Sequence, residues 1–181
     1  AALAYSVGAR ALREGESYGL QATEVHDTPT AVVGSAVHIA AVSIDTHTGC
    51  VNVERYVILH DCGRMVNPML VDGQIQGATV QGLGEVLMER LAYSEAGQPT
   101  AISLMDYQLP RCADVMPMTI EAMHSAAGAQ TLKGVGESGV MAAVPALTGA
   151  IADALAHVGI NITTLPLTAA AIRRLVLDQR R

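Results

Sequence analysis

Two alternating apolar segments joined by a turn sequence constrain the fold of this chain more than any other feature. In residues 34–45 both alternating sets are largely apolar, with Ala40 and Val42 on one side and Val37 and Ile39 on the other. The sequence DTHTG that follows is typical of a tight turn with a positive-φ glycine. Residues 51–59 repeat the apolar pattern, so we predict a β-hairpin whose first strand is buried on both faces.

Further strands and a helix are predicted between the hairpin and the last third of the chain. Apolar residues recur at every fourth position and predict a helix over residues 70–91. Shorter strands are predicted at 102–107 and 119–123, and a polar loop at 125–130. Residues 1–13 are apolar and periodic, and they predict a helix.

The last third of the chain predicts two helices. The first should begin around Val144, with Pro145 at its first position, and Gly159 should stop it. Thr168 is a good N-cap for the second, over residues 169–177, whose arginines are predicted to be solvated. The order of elements predicts an α+β fold, with a β-hairpin and a mixed sheet packed with helices.

The composition excludes several classes of protein. The 181 residues carry 11 Lys and Arg against 17 Asp and Glu, with no Phe or Trp, so no basic or aromatic surface for nucleic acid is expected. No apolar run is predicted to reach the length of a membrane span. Three distant cysteines form no zinc motif and indicate a reducing compartment, and Cys62 and Cys112 are predicted to be buried.

Residues 72–84 combine four glycines with three glutamines, Gln74, Gln76 and Gln81. Glycine inside a helix costs roughly 1 kcal/mol relative to alanine, so four of them need an explanation. They could let the backbone approach a flat polar ligand, with the glutamine amides as donors and acceptors. They could equally allow close helix–helix packing, with the glutamines in solvent.

The sequence KGVGE at residues 133–137 places one carboxylate, Glu137, among glycines before a helix. Such a glutamate could act as a general base on a ligand held by the loop backbone. It could also simply complement the helix dipole. Lys133, the chain's only lysine, could neutralise an anionic ligand or be solvated, and we favour a supporting role.

A histidine–aspartate pair, His60 and Asp61, follows the predicted return strand. Neighbouring residues at a strand end point to opposite sides, and the chain has no GxSxG nucleophile motif. We therefore predict a structural, loop-fixing role for this pair. His38 lies in an apolar strand and is predicted to be a core histidine with satisfied hydrogen bonds.

Nine sequence motifs occur in an order and spacing that resemble one enzyme family. They are GSAVHIA at 34–40, DTHTG at 45–49, HDCGRMVNP at 60–68, DGQIQG at 72–77, QGLG at 81–84, MDY at 105–107, Pro110, KGVGE at 133–137 and LPLT at 165–168. Over residues 20–175 the chain resembles the C-terminal part of the molybdenum-cofactor-binding large subunit of the xanthine dehydrogenase, aldehyde oxidase and carbon monoxide dehydrogenase family.

The resemblance implies the fold of the second molybdopterin-binding domain and the chemistry of a molybdenum hydroxylase. Such an enzyme hydroxylates an aldehyde, an N-heterocycle or a related small molecule with oxygen from water. A glutamate is the base, and electrons leave through iron–sulfur clusters and FAD. The metal is held by the pterin dithiolene, so no protein ligand to molybdenum is expected.

Individual site residues follow from the motifs that match. Glu137 stands where the family has its catalytic base, and Val135 and Gly136 stand where backbone groups face the cofactor. Gln74 stands where the family has a glutamine on the pterin. We therefore expect Gln74 to meet the segment from Val135 to Glu137, on a face that is left unfinished in this chain.

The resemblance also implies partners that the 181 residues do not contain. We expect residues 1–181 to be a single domain or a fragment, the C-terminal molybdopterin-binding region of a longer subunit that is inactive alone. Its partners would be the upstream part of that subunit, an iron–sulfur subunit and an FAD subunit. The pterin could carry a cytosine dinucleotide. A cytoplasmic location is expected, with periplasmic export left open.

Two other interpretations compete with that of a catalytic fragment. One is a non-enzymatic structural or assembly module on the same fold, and the other is an unrelated ligand-binding α+β domain. An intact glutamate at position 137 favours the enzyme over the module.

Overall fold

A computed structural model describes residues 23–25, 33–123 and 131–179. The chain divides into two compact units, Ala1–Ala31 and Val32–Arg181, and every element below belongs to the second. The helix predicted at 1–13 and the loop predicted at 125–130 lie outside the described residues.

The predicted β-hairpin is confirmed. Strand β1, Ser35–Ile44, pairs antiparallel with β2, Val51–Asp61. In the turn, Asp45 accepts hydrogen bonds from the backbone N–H of His47 and the hydroxyl of Thr48, both at 2.8 Å. Gly49 has a φ of 81°, the left-handed value for which the turn sequence selects glycine.

The prediction that β1 is buried on both faces is wrong. Its residues alternate between exposed and half-buried, and Val37 and Ile39 are 56% and 62% exposed. Helices cover only the face that carries Ala40 and Val42, which pack against the core. Within the described ranges, no element covers this apolar outer face, although its sequence resembles that of a buried strand.

The first helix, α1, spans Pro68–Leu87. It begins two residues before the predicted start because Asn67 caps it, accepting a hydrogen bond from the N–H of Leu70 at 3.2 Å. It ends four residues before the predicted end, where the N–H of Met88 bonds to the carbonyl of Gly84.

A third strand, β3, spans Met118–Ala122 and pairs parallel to β2, giving the sheet order β1-β2-β3. The strand predicted at 102–107 is wrong, because this segment forms turns. The hydroxyl of Ser103 donates to Asp106 and its carbonyl accepts the N–H of Asp106, a local arrangement that competes with strand pairing. A short 3-10 helix, Cys112–Asp114, precedes β3.

The second helix, α2, spans Ser138–Ala156, so the predicted start at Val144 is wrong. Pro145 lies inside the helix, although proline favours a first turn. Packing decides the start, because Gly139 and Ala143 are buried against α1. Helix propensity is a weak signal that tertiary contacts override.

By length and composition alone, α2 could cross a membrane, which contradicts the prediction that no apolar run is long enough. It is the one helix in the described ranges that meets this criterion. A core helix passes the same test, and the inward stripe of α2 is buried in this fold, at Gly139, Ala143, Leu147, Ile151 and Leu155.

The third helix, α3, spans Ala169–Asp178, and the predicted N-cap is confirmed: Thr168 accepts a hydrogen bond from the N–H of Ala171. The prediction that its arginines are only solvated is wrong for Arg173. The guanidinium of Arg173 donates to the carbonyl of Thr46 at 3.1 Å and ties α3 to the hairpin turn. The core lies between the sheet and the helices and includes Tyr56, Ile58, Ile75, Leu83, Leu147, Ile151 and Ile172.

Candidate functional site

The loop before α2 is bound to the end of β2. Gly63 and Leu132 form an antiparallel bridge, and the N–H of Arg64 donates to the carbonyl of Thr131 at 2.9 Å. The N–H of Lys133 donates to the carbonyl of Cys62 at 3.0 Å. The KGVGE segment therefore starts from a fixed point at the end of a core strand.

Lys133 forms a buried ion pair with Asp61. Its Nζ lies 2.7 Å from Asp61 Oδ2, while Asp61 Oδ1 accepts the N–H of Gly63 at 2.9 Å. The predicted loop-fixing role of Asp61 is visible in these contacts, and the predicted supporting role of Lys133 stays a prediction. Of the alternatives for Lys133, solvation is wrong.

Two glycines allow the loop to approach its neighbours closely. A β-carbon on Gly34, just before β1, would lie 2.6 Å from the carbonyl oxygen of Gly134. A β-carbon on Gly139 would lie 2.6 Å from the carbonyl oxygen of Ile75 in α1. Both distances are too short for any other residue without movement of the backbone, so the loop is seated against β1 and α1.

Glu137 is the N-cap residue of α2, but its side chain makes no capping hydrogen bond. The residue is exposed and lines a surface cleft of about 330 Å³ whose other lining residues are Val33, Gly34, Gly134, Gly136, Ser138 and Met141. Complementing the helix dipole does not require a cleft at this position. The carboxylate is available to a ligand in the cleft.

Gln74 of α1 comes to the same place. Its side-chain oxygen lies 3.8 Å from the position that a β-carbon on Gly136 would occupy. Apart from Gly136 and its two chain neighbours, no other residue has an atom within 4 Å of that position in the described part of the chain. Val135 is half-buried and packs against the core. The expected convergence of Gln74 with the segment from Val135 to Glu137 is therefore confirmed as geometry.

The surface around the cleft is unfinished, as expected. Val33 and Met141, on its rim, are 79% and 74% exposed. Leu132, at the start of the loop, is exposed as well. Large apolar side chains in one exposed region indicate a surface that another body covers.

The packing explanation for the glycines of α1 is confirmed for the C-terminal half of the helix, and approach of a ligand to the N-terminal half stays a prediction. A β-carbon on Gly82 would lie 2.6 Å from the β-carbon of Ala143, and one on Gly84 would lie 2.7 Å from Pro110. These two glycines allow close packing. Gly73 and Gly77 have open space beside them, so they leave one side of the N-terminal half bare, while Val71 and Ile75 of the same half are buried.

The buried histidine and cysteine near the sheet take no visible part in the cleft. His38 Nδ1 lies 2.8 Å from the hydroxyl of Tyr56, and burial lowers the pKa of His38 and raises that of Tyr56. His38 Nε2 is buried with no partner in the described part of the chain, so the predicted satisfaction is incomplete. Cys62 is buried, which raises the pKa of its thiol, whereas Cys112 is exposed, contrary to prediction.

Sequence patterns alone gave no sign of Gly34 as a contact of the loop. The ion pair between Asp61 and Lys133 could not be predicted either, because the two residues are 72 positions apart in the sequence. The single usable signal was compositional, since Lys133 is the only lysine and lies next to the motif.

Residues 1–116 match the family model described as the molybdopterin cofactor-binding domain. This chain belongs to that family. The matched range includes Gln74 and ends before Val135. The membership confirms the resemblance carried by the nine motifs.

Two curated relatives are named as a large subunit and a large chain. The nicotine 6-hydroxylase large subunit of Paenarthrobacter nicotinovorans is 39% identical over 152 residues, which are 83% of this chain and 19% of the relative. The carbon monoxide dehydrogenase large chain of Hydrogenophaga pseudoflava is 32% identical over 155 residues, again 83% of this chain and 19% of the relative. The chain thus spans less than a fifth of these relatives.

Solved structures share the fold. Quinoline 2-oxidoreductase from Pseudomonas putida 86 superposes with a TM-score of 0.73 at 38% identity, covering 78% of this chain and 18% of that one. Reconstituted carbon monoxide dehydrogenase from Oligotropha carboxidovorans gives 0.82 at 24% identity, covering 98% of this chain and 22% of that one, a likeness of fold alone. The predicted α+β fold with a mixed sheet is confirmed.

The residues at the cleft fit a molybdenum–pterin cofactor. The amide of Gln74 can donate to and accept from ring heteroatoms, and the bare backbone of Gly134 and Gly136 leaves room for a flat group. Within the described ranges, no group of three or more His, Cys, Asp or Glu residues could hold a metal directly.

Proposed function

We propose that this chain is the C-terminal cofactor-binding part of the large subunit of a molybdenum hydroxylase, with Glu137 as the catalytic base. The observation that carries the proposal is that the side-chain oxygen of Gln74 lies beside Gly136, which lines one open cleft together with Glu137. Gln74 lies in helix α1 and the other segment is the loop before α2, and both offer hydrogen-bonding groups to a polar ring system.

Each residue has a distinct task in this proposal. Gln74 holds the pterin ring through its amide, while Val135 and Gly136 present backbone groups to the same ligand. Glu137 accepts a proton at its carboxylate oxygen when the attacking hydroxyl is activated. When bound, the cofactor supplies the two-electron redox chemistry of hydroxylation.

The relatives support a small organic substrate and a multi-subunit assembly. The names of two relatives refer to a large subunit and a large chain. We assign to this protein an aldehyde, an N-heterocycle or a related small molecule as substrate, a pterin in the cytosine dinucleotide form, and iron–sulfur and FAD subunits as electron acceptors. Three unpaired cysteines support a reducing, cytoplasmic location.

Replacement of Glu137 in the assembled enzyme tests the proposal. Glu137→Gln keeps the size and polarity of the side chain but removes the base, so turnover should fall about 10²–10⁴-fold. Turnover would be measured with an aldehyde, an N-heterocycle and carbon monoxide, using a redox dye as electron acceptor. Molybdenum analysis would show that the cofactor is retained.

A matched control is Glu95→Gln, because Glu95 is also an exposed glutamate but lies in a turn away from the lining of the cleft. It should leave turnover unchanged. Near-normal turnover by molybdenum-loaded Glu137→Gln enzyme would refute the base assignment. It would favour a non-enzymatic structural or assembly module on the same fold.

A further inference from the structure

The ion pair between Asp61 and Lys133 lies beside the cleft without lining it. Its side chains are 2% and 11% exposed, and its charged atoms are 2.7 Å apart. Burying two charges removes their hydration free energy, and their mutual attraction compensates for only part of that loss. Such a pair therefore contributes little net stability. A requirement for one fixed geometry explains its presence better.

The segment between Lys133 and Glu137 has few contacts of its own. No atom lies within 4 Å of where a β-carbon on Gly134 would be, and the oxygen of Gln74 is the sole neighbour found for Gly136. Val135 alone packs a side chain against the core. The position of Glu137 therefore depends on how the two ends of the segment are held and on the close approach of the Gly134 carbonyl to Gly34.

The two ends are held in different ways. At the far end, Gly139 packs against the backbone of Ile75 and fixes the start of α2. At the near end, Lys133 is held by its N–H on Cys62 and by its ammonium on Asp61. Because Asp61 also accepts the N–H of Gly63, the near end is coupled to the strand end.

We propose that Asp61 and Lys133 are positioning residues for Glu137: their ion pair fixes the near end of the loop, so that the carboxylate faces the cleft. This inference rests on the proposed function, since it assigns the purpose of the pair to the base. Lys133 acts through the loop, because its ammonium is engaged by Asp61 and does not line the cleft.

Two variants of the assembled enzyme test the inference. Lys133→Met keeps an unbranched side chain but removes the ammonium group that pairs with the Asp61 carboxylate. Asp61→Asn combined with Lys133→Met removes both charges and keeps an oxygen to accept the N–H of Gly63. The measurements are amide hydrogen exchange at Arg64 and Lys133, kcat, KM and molybdenum content.

Lys133→Met should speed exchange at both amides by at least about tenfold, because the loop opens locally. It should lower kcat about 10–100-fold, since small misplacement of a reacting group has effects of this size. KM and molybdenum content should stay near the parent values, because Gln74 and the bulk of the subunit are untouched. The double variant should be less impaired in kcat and exchange than Lys133→Met, because no charge is left unpaired.

Arg111→Met is the control. It breaks the ion pair between the exposed Arg111 and Asp114, which lies away from the cleft. It should change none of the four measurements. Unchanged exchange and kcat in Lys133→Met would overturn the inference, as would parental exchange and kcat in the double variant, which also lacks the ion pair. Should Lys133→Met fail to fold, Lys133→Arg replaces it: retained exchange protection supports the role of the charge, and lost protection overturns it.

The two proposals fail in distinguishable ways. Loss of turnover in Glu137→Gln together with an unaffected Lys133→Met overturns the positioning role alone. Retained turnover in Glu137→Gln overturns the base assignment and, with it, the purpose given to the ion pair, whatever the exchange rates show about the loop.

Discussion

The two halves of helix α1 use the same residue type for opposite purposes. In the C-terminal half, Gly82 and Gly84 allow Ala143 and Pro110 to come within distances that any β-carbon would prevent. In the N-terminal half, Gly73 and Gly77 face open space, next to the exposed Gln74. Glycines in a helix therefore do not all indicate the same structure. In the packed half they allow other residues to pack closely against the helix, and in the bare half they leave the helix backbone exposed on one side.

The largest effect should come from filling the packed half. Gly82→Val would place methyl groups where the β-carbon of Ala143 already lies, so α1 and α2 must separate. We expect a loss of about 2–3 kcal/mol in the free energy of unfolding, measured by urea denaturation followed by circular dichroism. Gly77→Val is the control and should be nearly neutral; an equal loss from both would contradict the division into halves.

An intermediate effect should come from the start of the bare half. Asn67 caps α1 by accepting the N–H of Leu70. Asn67→Ala removes this bond and should cost about 1 kcal/mol in the same denaturation experiment. Asn67→Asp retains the acceptor and should recover the loss, whereas equal losses would show that the cap contributes nothing.

The smallest effect should come from the bare half itself, and with the opposite sign. Alanine is the better helix former, and a β-carbon on Gly73 would meet nothing. Gly73→Ala should therefore raise the free energy of unfolding of this chain by about 0.5–1 kcal/mol. Destabilisation by the same substitution in the assembled subunit would show that another body lies against this half, and destabilisation of the chain alone would contradict the prediction.

Features that depend on neighbouring residues could be predicted from the sequence. The Asp45 turn, the Thr168 cap and the type of each long element follow from local side-chain bonds and periodicity. Prediction failed where distant packing decides the outcome. Pro145 was a local signal for a helix start, but Gly139 on α1 sets that start instead. Burial of β1 was overestimated because apolar residues do not reveal whether a second layer covers them.

The site was predictable to the extent that motifs carry it. Gln74 and Glu137 were expected together because of the family resemblance, and no spacing rule would have joined them. The residues that hold the loop were less visible. Asp61 and Lys133 are brought together by the fold. Gly34 matters because it has no side chain, which lets the carbonyl oxygen of Gly134 approach its backbone.

The bond from Arg173 to the carbonyl of Thr46 has a consequence for biosynthesis. It joins residues 127 positions apart, and the tight contact of Gly49 with Ala169 reinforces it. On the ribosome, the hairpin emerges long before the helix that covers its turn. Contacts of such high sequence separation slow folding, because the entropy of closing the chain must be lost before they form. The nascent hairpin must therefore wait, with its turn uncovered, until translation has passed α3.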